Sequence, residues 1–386
     1  MSNLPPPIRI MHVITGLAGG GAERTMINVA RGLDRARFTS QVISLSRDHT
    51  LAGALRAAGI GVTMLDARPF VSLGIGPFRR VMQLLRRETP DIVQTWLPDA
   101  DLLGGVAAWM SGIPVIWNIR GSLSDSGWRP FASSLRVRLV THVCAAISGL
   151  VPRNIISCSR ANVTRNLRRY RQERIRVIGN GVDLDLFKPD AAARAAVREQ
   201  IGVDDETPLV GMIARFHPVK DPATFLAAAR QVIETHPHVR FLLCGQGMER
   251  ENAALTQMIR SHDLDRSLLR LGFRDDVASV FAALDVHVLS SRSEAFGNVL
   301  VEAMAAGVPC AATDVGESRR IIGDTGRIAP PRDPAALAAA VRELLDLPQS
   351  AMQPLRLRAR QRVAEHFTLQ STIAQYAELY ENIARS

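Results

Sequence analysis

Short apolar runs rich in β-branched residues alternate along the chain with longer stretches in which apolar residues recur at helical spacing. This alternation predicts parallel sheets covered by helices, and therefore an α/β fold. The predicted strands form two series, which are residues 8–14, 41–45, 61–65, 91–95, 114–119, 155–158 and 176–178, followed by residues 209–214, 240–244, 269–271, 286–289 and 309–312.

The alternation stops and restarts near the middle of the chain. Asn180-Gly181 is a strong turn dipeptide, and the residues after it are irregular as far as Pro189. We therefore predict two doubly wound, Rossmann-like domains, over residues 1–188 and 189–365, with a terminal helix over residues 366–386 that crosses back to the N-terminal domain. Two such domains would face each other across a cleft, which is the expected place for an active site.

The charge of the chain is concentrated in its first half. The 386 residues are 47% hydrophobic and 22% charged, which excludes a disordered or fibrous protein. The net charge is +10, and nearly all the basic residues are arginines, because Lys188 and Lys220 are the only lysines. Residues 1–188 hold 25 basic and 12 acidic residues, a net charge of +13, whereas residues 189–386 hold 22 and 25, a net charge of −3. The N-terminal domain is therefore expected to meet an anion.

The cysteines and the N-terminus indicate the compartment. The four cysteines are far apart in the sequence, which excludes a zinc or dithiol site built from closely spaced cysteines and favours a reducing environment. The chain begins without a signal segment, and it has no apolar run long enough to span a membrane. We expect a cytoplasmic protein whose contact with a membrane, if there is one, is peripheral.

Two loops that follow predicted strands carry candidate phosphate-binding groups. The first strand leads into Gly19, Gly20 and Gly21, which would let a phosphate approach the N-terminus of the next helix. Taken alone, these glycines are equally explained by a tight strand-to-helix turn. Arg215 and Lys220 follow the strand at 209–214, just before a helix that begins at Pro222. They could hold a diphosphate, although surface charges of this kind also occur without a function.

A pair of glutamates follows the strand at 286–289. Glu294 is predicted in the loop before a helix that opens near Gly297 and closes at Gly307, and Glu302 is predicted inside that helix. Carboxylates in these places could accept hydrogen bonds from the hydroxyls of a hexose and a ribose. The spacing alone is not specific, because acidic pairs eight residues apart are common.

The segment from Glu294 to Glu302, with Phe296-Gly297-Asn298 inside it, resembles the Glu-x7-Glu signature of the retaining glycosyltransferases of family 4, which have the two-domain GT-B fold. Other segments resemble further signatures of that family in the same order and span essentially the whole chain. They are Gly19 to Glu23, Asn180 to Asp183 with Phe187, Arg215 with Lys220, and Gly245-Gln246-Gly247.

The resemblance implies a role for individual residues. Glu294 would contact the donor hexose, Arg215 and Lys220 would neutralise its diphosphate, and Glu302 would bind the ribose. The remaining donor-binding residues implied by the resemblance are Gly19, Gly20, Gly21, Gly272, Phe273, Arg274, Phe296, Gly297, Asn298 and Val299. No metal and no cofactor beyond the nucleotide sugar is implied, since two cations and a helix N-terminus can stabilise a leaving diphosphate.

The chain departs from the family pattern on the acceptor side. Many relatives carry a histidine after the fifth strand, where this chain has Arg120. A guanidinium cannot act as a base, so we assign Arg120 a binding role at the catalytic site. After the fourth strand, Asp99 or Trp96 could contact the acceptor, although Trp96 is as readily explained by packing.

The resemblance implies hexose transfer with retention of configuration, from a UDP-sugar more readily than a GDP-sugar, onto a lipid-linked, polysaccharide or lipopolysaccharide acceptor. With no carboxylate nucleophile identified, a front-face reaction assisted by the leaving phosphate is preferred to a covalent intermediate. A sugar-nucleotide epimerase and a non-catalytic subunit of the same fold remain alternatives. A nucleic-acid partner is not expected, because no aromatic and basic nucleic-acid module is present.

Two arginine clusters lie in the N-terminal half and suit an anionic membrane surface. They could equally be solvated helix faces. Residues 121–131, with Leu123, Trp128 and Phe131, are expected to add apolar contacts near the acceptor. The clusters are Arg79, Arg80, Arg86 and Arg87 on an amphipathic helix, and Arg160, Arg165, Arg168, Arg169, Arg171, Arg174 and Arg176.

Overall fold

The computed structural model describes residues 6–18, 20–48, 50–67, 74–121 and 131–385. These form two compact units, one of Met1–Asn180 with Leu369–Ser386, and one of Gly181–Thr368. The sequence analysis places the divisions at residues 188 and 365 instead. Gly19 and most of the apolar loop at 121–131 lie outside the described residues.

Unit 1 is a seven-stranded parallel sheet with the strand order β3-β2-β1-β4-β5-β6-β7. Its strands are β1 (Ile8–Ile14), β2 (Phe38–Ser46), β3 (Gly61–Ala67), β4 (Ile92–Trp96), β5 (Val115–Ile119), β6 (Asn154–Ser157) and β7 (Ile175–Val177). Its helices are α1 (Gly21–Gly32), α2 (Ala52–Ala57), α3 (Ile75–Glu88), α4 (Pro98–Met110), α5 (Phe131–Ile147), α6 (Arg160–Asn166) and the terminal helix α15 (Leu369–Ala384).

Both faces of this sheet are buried, because successive side chains of a strand point to opposite sides. Ile10 and Ile14 of β1 pack with α1, α2 and α15. Met11 and Val13 of the same strand pack in a second cluster with α3, α4 and α5. The predicted doubly wound arrangement is therefore confirmed for this unit.

Unit 2 (Gly181–Thr368) repeats the design with six parallel strands in the order β10-β9-β8-β11-β12-β13. Its strands are β8 (Leu209–Ile213), β9 (Arg240–Cys244), β10 (Leu268–Gly272), β11 (Val286–Leu289), β12 (Cys310–Thr313) and β13 (Arg327–Ala329). Its helices are α7 (Ala191–Ile201), α8 (Pro222–Ile233), α9 (Ala253–Arg260), α10 (Val277–Ala283), α11 (Asn298–Ala305), α12 (Ser318–Ile322), α13 (Pro334–Leu345) and α14 (Gln349–His366).

The predicted strands of both series are confirmed, with small differences at their ends. Strand β13 is not among the predicted strands, because this edge strand is only three residues long and contains no apolar run. The four cysteines are buried, and no disulfide joins any of them. Among the described residues, no helix combines the length and the apolarity needed to cross a bilayer.

A buried polar cluster fixes α15 on the sheet of unit 1. Arg120, directly after β5, donates from Nε to Asn118 Oδ1 at 2.8 Å, from Nη1 to Asn180 and from Nη2 to the hydroxyl of Tyr376 in α15. Asn118 Nδ2 donates to the same hydroxyl at 2.8 Å. Burial raises the pKa of Tyr376, so this hydroxyl stays neutral. The cluster therefore ties the terminal helix to β5 and to the end of the first segment of unit 1.

We expect Tyr376→Phe to lower the free energy of unfolding by about 1–3 kcal/mol, since it leaves a buried amide and a guanidinium N–H without their acceptor. Urea unfolding followed by circular dichroism measures this loss. Tyr170→Phe is the matched control, because the buried hydroxyl of Tyr170 makes one longer hydrogen bond, of 3.3 Å, to the carbonyl of Thr141. An equal loss in the two variants would contradict the role given to the Arg120 cluster.

Candidate active site

The candidate residues of unit 2 lie in loops that follow neighbouring strands. Arg215 and Lys220 follow β8, Gly245 follows β9, and Glu294 follows β11. Because all strands of this sheet are parallel, these loops leave the sheet at one edge. The carboxyl edge of the sheet is therefore the candidate site.

Lys220 and Glu294 form an ion pair at this edge. Lys220 Nζ lies 2.5 Å from Glu294 Oε1, and their side chains are only 24% and 12% exposed. Ser291 Oγ donates a hydrogen bond of 2.7 Å to the same carboxylate oxygen. The resemblance implies separate roles for these two residues, toward a diphosphate and a hexose, and the structure brings them into direct contact.

A second ion pair, which the sequence analysis missed, fixes the two loops to each other. The guanidinium of Arg292 forms a two-point ion pair with the buried carboxylate of Asp221, with Nε 2.8 Å from Oδ2 and Nη2 2.8 Å from Oδ1. Ser290 Oγ donates to the carbonyls of Lys220 and Asp221 at 2.9 and 3.0 Å, and the Arg292 amide donates to the Val219 carbonyl at 2.8 Å. Lys220 and Glu294 are thus carried by one hydrogen-bonded unit.

Asp221 is also the N-cap residue of α8. It lies in the left-handed region, with φ of +51°, and its carboxylate accepts hydrogen bonds from the Thr224 amide and hydroxyl. Burial raises the pKa of Asp221, but the hydrogen bonds from Arg292 and Thr224 outweigh burial and leave that pKa below its ordinary value. The Asp-Pro-x-Thr order is a helix-start signature, and that signal could have singled out Asp221 in the sequence.

Gly316 is a further residue of the site that the sequence analysis missed. Its φ is +58°, and a β-carbon at this position would lie 2.5 Å from the carbonyl oxygen of Glu294. Gly245 is similar, because a β-carbon there would lie 2.2 Å from the Ala214 carbonyl oxygen. These close approaches require glycine, and they let the loop after β12 support the backbone that carries Glu294.

The helix predicted to open near Gly297 begins at Asn298 and forms α11. Gly297 precedes it with φ of +96°, and Glu302 lies half-buried within it. The ring of Phe296 is buried and packs edge-to-face on Phe367 at 6.0 Å between centroids. Phe296 can therefore offer only its backbone to a ligand, while Asn298 and Val299 form the first turn of the helix.

Gly272 ends β10, and it differs from Phe273 and Arg274, which follow it, in its contacts and exposure. The Gly272 carbonyl accepts hydrogen bonds from the Gly245 amide at 2.7 Å and the Cys244 thiol at 3.4 Å. Arg274 is held by both carboxylate oxygens of Asp276, at 2.7 and 2.6 Å. Phe273, by contrast, is 55% exposed. Phe273 therefore offers the open aromatic surface in this turn, and Arg215 is likewise exposed.

The candidate residues of unit 1 require two corrections. Trp96 has no exposed surface and donates from Nε1 to His12 Nδ1 at 3.2 Å, so the expectation that it contacts an acceptor is not supported. Arg120 is 8% exposed, and all three guanidinium nitrogens donate within unit 1. Its guanidinium also lies 5.4 Å from the Trp96 ring centroid. Arg120 therefore holds the fold of unit 1, a role that its predicted binding function did not include.

Gly20, Gly21 and Asp99 of unit 1 lie next to the starts of helices, as the sequence predicts. Gly20 is the residue before α1, and Gly21 is its first residue. Asp99 lies in the first turn of α4, is mostly buried, and accepts a hydrogen bond of 2.9 Å from Arg136 Nη1. In the described ranges, no group of three or more His, Cys, Asp or Glu side chains is placed to hold a metal ion.

Comparisons with known proteins agree on one family. A family model described as Glycosyltransferase Family 4 matches residues 19–186, and one described as Glycosyl transferases group 1 matches residues 207–347. The putative glycosyltransferase EpsF of Bacillus subtilis is 25% identical over 313 residues, which is 79% of each chain. An Escherichia coli UDP-Gal:α-D-GlcNAc-diphosphoundecaprenol α-1,3-galactosyltransferase is 29% identical over 239 residues, 60% of each chain.

Among solved structures, the Anabaena protein HepE, crystallised with UDP and glucose, superposes with a TM-score of 0.84 and is 24% identical. The match covers 97% of this chain and all of that one. The likeness therefore extends over both units.

We expect Asp221→Asn to lower stability at neutral pH by about 1–3 kcal/mol, because a carboxylate that is hydrogen-bonded to a guanidinium becomes a neutral amide. Since the pKa of Asp221 is depressed in the folded protein, its contribution is present above the unfolded value of 3.8 and is lost as the pH falls through the folded value. The difference in the free energy of unfolding between variant and wild type, measured by urea unfolding, should therefore become smaller under acid conditions.

Asp314→Asn is the matched control for this variant. Asp314 pairs with Arg319 at 2.6 Å, but both side chains are exposed, so its replacement should cost less than about 1 kcal/mol. The role given to the Asp221 carboxylate is wrong if the loss of unfolding free energy in Asp221→Asn is independent of pH, or if it is no larger than the loss in Asp314→Asn.

Proposed function

Because the chain belongs to the family 4 glycosyltransferases and has their GT-B fold, we propose that it transfers a hexose, with retention of configuration, from a nucleotide sugar to a lipid-linked or polysaccharide acceptor. The names of the relatives support a UDP-sugar and a lipid-linked acceptor. The name of the Escherichia coli relative gives UDP-Gal as its donor and α-D-GlcNAc-diphosphoundecaprenol as its acceptor, and HepE was crystallised with UDP and glucose. The products we propose are cell-envelope glycans such as an exopolysaccharide or lipopolysaccharide.

The contact between Lys220 and Glu294 is the observation that carries this proposal. An ammonium favours a phosphate oxygen, and a carboxylate accepts hydrogen bonds from sugar hydroxyls. The two side chains are 2.5 Å apart, so the groups that they recognise must be close neighbours in the ligand. A nucleotide sugar meets this requirement, because its hexose is bonded directly to the diphosphate.

The described residues supply the rest of the donor site. Arg215 adds a second cation near the diphosphate, and the first turn of α11 adds backbone N–H groups directed at an anion. Glu302 is proposed to hold the ribose, and the exposed ring of Phe273 to contact the base. These groups stabilise the negative charge that develops on the leaving diphosphate, and we propose that no divalent metal takes part.

We propose the front-face route for the chemical step. The acceptor oxygen forms its bond to the anomeric carbon on the face from which the bond to the diphosphate oxygen breaks. The acceptor proton passes to the leaving diphosphate. Glu294 is engaged by Lys220 and Ser291, which favours a role in orienting the hexose over attack on the anomeric carbon.

A panel of UDP- and GDP-sugars tests the proposal. We expect thermal stabilisation by UDP or GDP, slow hydrolysis of at least one donor, and hydrolysis that persists in EDTA. With an acceptor, NMR of the product should show the donor's anomeric configuration. Failure to bind either nucleotide, together with cleavage of none of the donors, would remove the catalytic interpretation. Interconversion of two donors without any acceptor would favour the epimerase alternative.

Glu294→Ala should lower kcat at least about a hundredfold, since it removes a contact to the reacting hexose. Glu302→Ala should instead raise the Kd for the nucleotide about tenfold and leave kcat within a few-fold, since the ribose does not react. Steady-state kinetics and nucleotide titration separate the two effects. Glu343→Ala is the control, because Glu343 is exposed and pairs with Arg327 in the same unit. The assignment is wrong if Glu294→Ala keeps its kcat.

A further inference from the structure

The solvent face of α5 is apolar, which is the reverse of an ordinary surface helix. Leu135, Leu139 and Val143 recur at intervals of four residues and are 57%, 64% and 37% exposed. The opposite face of the helix, with Val140 and Cys144, is buried in the core of unit 1. Leu150, three residues beyond the helix, is 58% exposed. The helix thus presents an apolar ridge to the outside of the unit.

The groups between and beside these apolar residues are basic. Arg138 and His142 are exposed on the same side of α5, and the helix sequence contains no aspartate or glutamate. His142 Nδ1 lies 2.6 Å from the Arg138 carbonyl, so it donates there, and His142 Nε2 accepts from Arg169 Nη1 at 2.7 Å. The helix is therefore joined directly to one of the arginine clusters.

The arginine cluster at 168–171 lies along α5. The hydroxyl of Tyr170 donates to the Thr141 carbonyl at 3.3 Å, and the amide of Arg171 donates to Ser148 Oγ at 2.9 Å. These contacts hold the segment against α5, the side chains of Arg168, Arg169 and Arg171 are exposed, and Arg169 is bonded to His142 on the exposed side of the helix. The acidic residue of this segment, Glu173, is paired with Arg171 at 3.0 Å.

We propose that this surface docks unit 1 onto an anionic lipid bilayer. We call it the α5 surface, and it consists of Leu135, Leu139 and Val143 with Arg138, His142, Arg168 and Arg169. The apolar ridge would enter the interface of the bilayer while the arginines contact lipid phosphates, as in interfacial helices. The inference stands apart from the transfer reaction, because it concerns neither the donor site nor the acceptor.

Charge complementarity favours a bilayer over a second copy of the chain. Unit 1 holds 25 basic and 12 acidic residues, a net charge of +13, whereas unit 2 has a net charge of −3. A two-fold symmetric dimer through the α5 surface would bring the arginines of one copy against those of the other, with no carboxylate of the surface to meet them. An anionic bilayer supplies both an apolar interior and the opposite charge.

Exposed apolar residues are distributed differently in unit 2. The strongly exposed ones there are Leu186, Phe273 and Leu357, and each belongs to a separate element or loop. Single exposed apolar residues are ordinary on protein surfaces, whereas a contiguous apolar ridge indicates an interaction site. Leu357 and the neighbouring exposed Arg358 on α14 therefore provide a matched control.

Vesicle co-sedimentation of the full chain tests the proposal without donor or acceptor. The vesicles contain phosphatidylcholine with roughly one third phosphatidylglycerol, at about 0.1 M salt, and phosphatidylcholine alone serves as the comparison. The variants are Leu139→Glu with Val143→Glu, and Arg168→Glu with Arg169→Glu. Leu357→Glu with Arg358→Glu is the control. Leu139→Ser with Val143→Ser covers the case in which the charged pair impairs folding, which circular dichroism reports.

We expect the wild type to bind the anionic vesicles and to bind the neutral ones at least about tenfold more weakly. Each variant of the α5 surface should also weaken binding about tenfold or more, and the α14 control should stay within about twofold. No binding to anionic vesicles overturns the proposal. So does binding that survives either α5-surface variant, binding that the α14 control weakens equally, or a wild-type dimer that the α5-surface variants convert to monomers.

Discussion

Every strand pair in the described part of the chain is parallel, and the position of the candidate site follows from that constraint. A parallel strand must be followed by a crossover, so all loops that leave the carboxyl ends of a sheet emerge at one edge. In unit 2 this brings together the loops after β8, β9, β11 and β12, although they are far apart in the chain. The side chains of these loops then need only local hydrogen bonds to become one site.

The Asp221–Arg292 pair provides those local bonds in unit 2. It joins the loop that carries Lys220 to the loop that carries Glu294, and Ser290 adds two bonds to the backbone of the first loop. Both candidate side chains can form further hydrogen bonds, because an ammonium has three donors and a carboxylate about four acceptor sites. Lys220 and Glu294 can therefore stay paired with each other and still bind one ligand, so the pair is preorganised for the role proposed for it.

Much of this arrangement can be predicted from the sequence, but only where the signal is local. The strands are apolar runs between turns, and the start of α11 after Gly297 is local turn chemistry. The partners of the candidate residues are not local. Arg120 follows β5 and Trp96 ends β4, so both look like site residues, yet Tyr376, more than 250 positions later than Arg120, contacts both of them. No spacing rule predicts such a contact, and the same holds for Gly316 beneath Glu294.

Helices α5 and α15 show that the buried face of an apolar helix is known from the structure and not from the sequence. Both are rich in apolar residues, but α15 places Tyr376, Leu379 and Ile383 against the sheet of unit 1. Helix α5 is apolar around much of its circumference, so its periodicity cannot tell which side is covered. The structure shows that the covered side is the one with Val140 and Cys144. Arginines border the outer apolar ridge, so part of the excess positive charge of unit 1 lies beside it. The total charge of the chain does not reveal this position.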